Sequence, residues 1–177
     1  MAYFKDKEEL ITGNTEDLLR QLSDICLEEL MLSSDAYVCM IKLNMHGYKR
    51  LHRYLSKEFQ DLYLAFQYES LKNFDRVLSS EIRFETYKTK DIKEHLQNWT
   101  EVLKKHIKTV GAIIKEIFEN EGYISCTAQK LQKILYKNII KNERALKKFE
   151  DCDYNYQVIY EHDKYLHDKI KEKENME

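Results

Sequence analysis

The chain has 177 residues with no proline and four glycines, where average usage gives roughly nine and twelve, so tight turns are few and a sandwich or barrel is disfavoured. Gly13, Gly47, Gly111 and Gly122 are never closer than eleven positions, which excludes both a Walker A loop and a GxGxxG dinucleotide fingerprint. The 29 Lys+Arg against 31 Asp+Glu leave a formal net charge of −2, and the four cysteines, Cys26, Cys39, Cys126 and Cys152, form no CxxC pair, disfavouring a zinc knuckle or a disulfide framework.

The opening segment Met-Ala-Tyr-Phe-Lys-Asp-Lys-Glu-Glu-Leu is charged and lacks an apolar signal core. No uncharged apolar run approaches the ~20 residues of a spanning helix, so a cytoplasmic, membrane-free protein with reduced thiols on helix core faces is expected. Leu19, Leu22, Cys26 and Leu30 predict a first helix over 15–32. Ser34 and Asp35 then open a stripe from Tyr37 through Met45, His52, Phe59 and Phe66 to Val77. Gly47 interrupts it, predicting a short helix over 35–45 and an unusually long one over about 48–82, with a connector at 83–90. Ile92, Leu96, Trp99, Leu103, His106, Val110, Ile113 and Ile117 alternate steps of four and three. They predict a helix over 91–121, capped by Asp91 and closed by Gly122, with Trp99 as the central core aromatic. Ala128, Leu131, Leu135, Ile139, Leu146 and Phe149 predict a helix over 127–150, and Ile159, His162, Leu166 and Ile170 one over 153–173 capped by Asp153, with a frayed tail from Lys171. With no strand pattern and short connectors, the expected fold is all-α: a single-domain antiparallel bundle of four to six helices.

Charge is polarised along the chain. Residues 1–35 hold nine acids against three bases, whereas Ala36–Lys57 contains no acid and carries Lys42, Lys49, Arg50, Arg53 and Lys57 with His46 and His52. Residues 129–148 hold seven bases, including Lys133, Lys137, Lys141 and Arg144, against Glu143 alone, and 149–177 return to nine acids against four bases. Such basic helical faces with interleaved tyrosines suit an acidic protein partner or, as an alternative, nucleic acid. Acidic terminal helices packed beside basic central ones would instead neutralise them internally. Thirteen tyrosines add to the interface reading, many lying beside the apolar stripes: Tyr63, Tyr68, Tyr87, Tyr123, Tyr136, Tyr154, Tyr156 and Tyr160.

A helical bundle can also hold metal between carboxylates and histidines. The segment Leu62-Tyr-Leu-Ala-Phe-Gln-Tyr-Glu is similar to the first helix of ferritins, and Gly47 to His52 resembles the Gly, Leu-His segment of the Dps branch of that superfamily. The resemblance implies a four-helix metal protein, for which His52, Glu69, Glu143 and His162 are the candidate ligands. Two departures count against it. No Asp or Glu stands three residues before any of the six histidines, as Glu-x-x-His ligation requires, and Leu51 and His52 fall two positions too early after Gly47. The small helical HEPN ribonucleases resemble this chain in size and class, but their Arg-x(4 to 6)-His signature matches at none of its arginines. GxSxG, HExxH and EF-hand patterns are missing, and Cys39 has no histidine placed by sequence as its base. The expectation is therefore a non-enzymatic interaction protein, an adaptor, inhibitor or regulator needing no cofactor. It would bind a protein through Lys42, Lys49, Arg50, Arg53, Tyr54 and Lys57, with Lys133, Lys137, Lys141 and Arg144 as a second basic face. The ferritin-like metal protein and the nucleic-acid binder are the alternatives, and oligomeric state is left open.

Overall fold

A computed structural model describes residues 14–80, 82 and 85–176, so the charged opening segment lies outside the described residues. Five helices follow one another: α1 (Thr15–Lys42), α2 (His46–Phe74), α3 (Ile92–Glu121), α4 (Cys126–Asp151) and α5 (Tyr156–Glu174), with no strand among the described residues. Four start at side-chain caps that satisfy an otherwise orphaned N–H. Asn14, Asp91, Ser125 and Asn155 accept from Asp17, Glu94, Ala128 and Gln157. The α3 and α4 boundaries match the sequence expectation within a residue. The start of α5 shifts to Tyr156 because Asp153 and Tyr154 take left-handed backbone (φ 50° and 53°), leaving Asn155 as the cap.

Three expected boundaries are corrected. The helices expected over 15–32 and 35–45 form one helix, because Ser34 Oγ donates back to the Leu30 carbonyl at 2.9 Å and Asp35 reaches out to the Tyr87 N–H at 2.8 Å, so neither caps a new helix. The break falls at Leu43–Met45, where Asn44 adopts φ 58°, and not at Gly47. The long helix expected to reach residue 82 stops at Phe74: Asp75 turns left-handed (φ 54°) and donates its N–H to the Leu71 carbonyl. Val77, expected on the core stripe, is 73% exposed.

Between α2 and α3, Leu78 and Tyr87 are anchored at different levels of the bundle. Gln67 holds the backbone of Leu78 at both its N–H and its carbonyl (2.9 and 3.2 Å). Further on, Tyr87 is buried beside His95, with its N–H on Asp35 and the Cys39 thiol donating to its carbonyl. Leu78 is thus held at the level of Gln67 and Tyr87 near that of His52, fifteen residues or about 22 Å apart along α2. α2 and α3 therefore point the same way. α1 packs against both α2 and α3, and α4 against both α3 and α2, with α5 laid along α2. Two helical hairpins, α1 with α2 and α3 with α4, are thus joined by one long crossover.

One hydrophobic cluster draws on all five helices, with Trp99, Phe59, Phe66, Phe149 and Tyr87 as its largest enclosed side chains. No helix among the described residues is long and apolar enough to cross a membrane. The thiols divide: Cys26 is buried and Cys39 half-buried, while Cys126 and Cys152 are exposed, contrary to a uniform core placement.

Candidate functional site

The first basic stretch lies on the opening turns of α2, which begins without a side-chain cap of its own. Asp163 of α5 supplies one from a distance: its two carboxylate oxygens accept the N–H groups of Gly47 and Tyr48, both at 2.9 Å. A carboxylate at a helix N-terminus is favoured both by the orphan donors and by the helix dipole. This contact seats α5 along α2 and leaves a cavity on either side of it.

On the α1 side, a cavity of about 720 Å³ is lined by Tyr37, His46, Lys49, Arg50, Arg53, Tyr54, Lys57, His167 and Glu174. Five of the six residues expected at the partner site share this wall; Lys42 does not, sitting in the last turn of α1. Arg50 is committed internally. Its Nε and Nη2 donate to Glu174 Oε2 at 2.7 and 2.5 Å, and its Nη1 donates to His167 Nε2 at 3.2 Å. Because a guanidinium only donates, His167 carries its proton on Nδ1, which donates to Asp168. The Arg50 pair also holds the last turn of α5, so the tail expected to fray from Lys171 stays helical to Glu174. Lys49 is half-buried and Arg53 and Lys57 are exposed.

On the α4 side, a smaller cavity of about 220 Å³ lies between α2, α4 and α5. Lys133, Lys137 and Lys141 of the second basic face line it, joined by Lys169 and Lys173 of α5, while Arg144 lies exposed outside it. Tyr54 belongs to both cavities, and Lys173 Nζ stands 5.5 Å from its ring centre. The sequence placed Lys169 and Lys173 in an acidic stretch, so their convergence on the α4 lysines had no signal in local composition. Burial first, then the charges of Lys137, Lys173 and Lys169, push Lys141 down to about 8.

The expected metal ligands are not brought together. His52 is buried against His95 (Nε2 to Nε2 2.9 Å) and Trp99; Glu69 accepts from Tyr123 and from Ser125; Glu143 pairs with Lys104 at 2.6 Å; and His162 packs between Tyr48 and Phe149. Among the described residues no group of three or more His, Cys, Asp or Glu side chains is arranged to hold a metal ion. A different buried set emerges instead, in which His106 lies between Glu29 (Nδ1, 2.7 Å) and Glu28 (Nε2, 2.9 Å). Burial alone would lower His106, but the hydrogen bonds and charges of the two glutamates outweigh it and hold its pKa at about 9. A doubly protonated imidazole has no lone pair for a metal.

The buried pair reads as neutral. Burial lowers His52, with His95 adding to the effect, and burial alone brings His95 down to about 3. Tyr87 Oη meets His95 Nδ1 at 2.8 Å, and His52 Nδ1 has no hydrogen-bond partner. An orphaned lone pair costs less than an orphaned N–H, which favours the tautomer in which His52 donates through Nε2 to His95. Tyr87, expected at an interface, is thus a core residue, whereas Tyr68, Tyr136, Tyr156 and Tyr160 are exposed as expected. No protein-family model and no curated protein matches the chain.

Proposed function

We propose that the protein acts without catalysis, by binding a protein partner that presents acidic side chains to the basic cavity between α1, α2 and α5. The observation that carries this reading is the gathering of Lys49, Arg50, Arg53, Tyr54 and Lys57 on one concave wall of about 720 Å³. Arg53 offers a planar fork for carboxylates, and Tyr54 a rigid aromatic surface of the kind enriched at interfaces. The partner occupies the wall sterically, with charge steering that weakens as salt rises.

Affinity capture from an extract of the source cells tests this, with the unmodified protein and a Lys49→Glu/Arg53→Glu variant, each with and without nuclease. Arg50 stays intact because reversing it would release α5. The expected result is one acidic protein recovered in stoichiometric amount, resistant to nuclease, weakened by salt and lost with the variant. The variant's stability should stay within about 0.5 kcal/mol, as for other surface changes. Equal recovery by the variant overturns the reading, and loss of every partner on nuclease treatment replaces it with nucleic-acid binding.

A further inference from the structure

The cavity on the α4 side differs in chemistry from its neighbour. Lys133, Lys137 and Lys141 lie on successive turns of α4, and Lys169 and Lys173 on successive turns of α5, so five lysines line a space of about 220 Å³. One carboxylate, Glu58, shares the lining, and one of its oxygens already accepts from Tyr54 Oη at 3.0 Å. Among the described residues none of the five lysines forms an ion pair within 4 Å; the amine of Lys169 bonds only to Tyr165 Oη at 3.1 Å. The charge of Lys173 beside it, then burial, hold the Lys137 amine below its ordinary value.

Like charges this close, with Lys141 half-buried, raise the free energy of the folded chain unless a counter-charge enters. Apart from Tyr54 and Asn138, whose amide nitrogen donates to the Ile134 carbonyl at 2.9 Å, the rest of the lining, Leu51, Leu55, Ile134, Leu166 and Ile170, is apolar and carries no counter-charge. A space of this size admits a compact oxyanion. Lysine supplies point charges with freely turning donors, suited to a tetrahedral multivalent anion, whereas planar carboxylates are better met by arginine forks. All of this cavity's cations are lysines, and the arginines line the other one.

We infer that the cavity between α2, α4 and α5 is a binding site for a phosphate group carrying two or more negative charges. Lys137, Lys141 and Lys173 contact its oxygens, and Lys133 and Lys169 draw it in from the rim. This site is independent of the partner proposed for the α1-side cavity. Entry of the anion relieves the mutual repulsion of the amines, so binding stabilises the folded chain.

Calorimetric titration of the full chain at low salt with pyrophosphate, and separately with a phosphoserine peptide, tests the inference. One saturable site per chain is expected, with an accompanying rise in melting temperature. Lys137→Gln/Lys141→Gln should weaken it at least tenfold, while the equally neutralising Lys49→Gln/Arg53→Gln should weaken it several-fold less. Removing two mutually repelling charges should hold or raise the melting temperature without ligand, so lost binding would not reflect unfolding. Tighter binding of pyrophosphate identifies a free phosphate compound, and tighter binding of the peptide a phosphate carried on a protein. Absence of binding with both probes, or equal binding by the Lys137→Gln/Lys141→Gln variant, overturns the inference. Loss through Lys49→Gln/Arg53→Gln alone would also overturn it, by placing the anion in the other cavity.

Discussion

Gly47 shows how one residue can be misread when its neighbours are unknown. In sequence it is a helix breaker, yet it lies in the first turn of α2 with its N–H on Asp163. A Cβ built there would stand 1.9 Å from the Asp163 carbonyl oxygen and 2.8 Å from its carboxylate, so glycine is required by the approach of α5 and not by local conformation. Alanine is the better helix former by about 1 kcal/mol, and in an isolated helix Gly47→Ala would stabilise. In this protein it should cost about 1–3 kcal/mol through overpacking. Denaturant midpoints would show the loss, and amide exchange would show α5 loosened before the other helices. A neutral or stabilising outcome would mean that α5 does not dock through Asp163.

At the level of elements, the crossover decides how the helices are arranged. Its buried anchors, Leu78 and Tyr87, lie in a segment without helical or strand regularity, so periodicity gave them no prominence. The stripe through Phe74 and Val77 extended the expected helix because apolar spacing continues past the point where Asp75 turns the chain. Pattern alone carries no information about which apolar residues find a neighbour. Tyr87 links the strap to α3 through His95 and to α1 through Asp35. Tyr87→Phe keeps the buried ring but leaves His95 Nδ1 without its partner, for an expected loss of about 1–3 kcal/mol. At roughly 2–4 °C per kcal/mol for a chain of this size, thermal unfolding would register it clearly. An unchanged midpoint would show that the hydroxyl contributes nothing to holding the strap.

Over the whole molecule, two buried histidine sites of opposite character shape the dependence of stability on pH. His106, held at about 9, binds a proton in the folded state that the unfolded chain releases above about 6.5. Its stabilisation, of order 3 kcal/mol for such a shift, is complete below pH 6.5 and is lost as pH rises through 9. His95, held at about 3, stays neutral in the folded state, so below 6.5 the unfolded chain binds the extra proton and stability falls toward pH 3. Stability should therefore peak near pH 6.5. Lys141, pushed down to about 8, works in the opposite sense above that pH and softens the alkaline decline. Chemical denaturation across pH 4–9 would trace the curve. His106→Gln should flatten the limb above 6.5, and His95→Gln the limb below it; unchanged limbs would refute these charge assignments. Part of the polarised charge is neutralised between helices, as by Glu28 and Glu29 on His106 and Glu174 on Arg50.

The sequence by itself determined the all-helical class, the limits of α3 and α4, and the burial of Trp99, because these follow from 3.6-residue periodicity and from caps within a few positions of each helix end. It also marked both basic stretches, since charge runs are local. Only the tertiary structure decided that α1 is continuous, that α2 stops at Phe74, and that Asp163 caps a helix more than a hundred residues upstream. It likewise decided that Arg50 is spent on α5, that His52 and His162 are core residues with separate partners, and that Lys169 and Lys173 complete a cavity with lysines of α4. Each of these depends on which helix faces which, a choice set by packing between segments distant in sequence that the spacing within any one of them cannot encode.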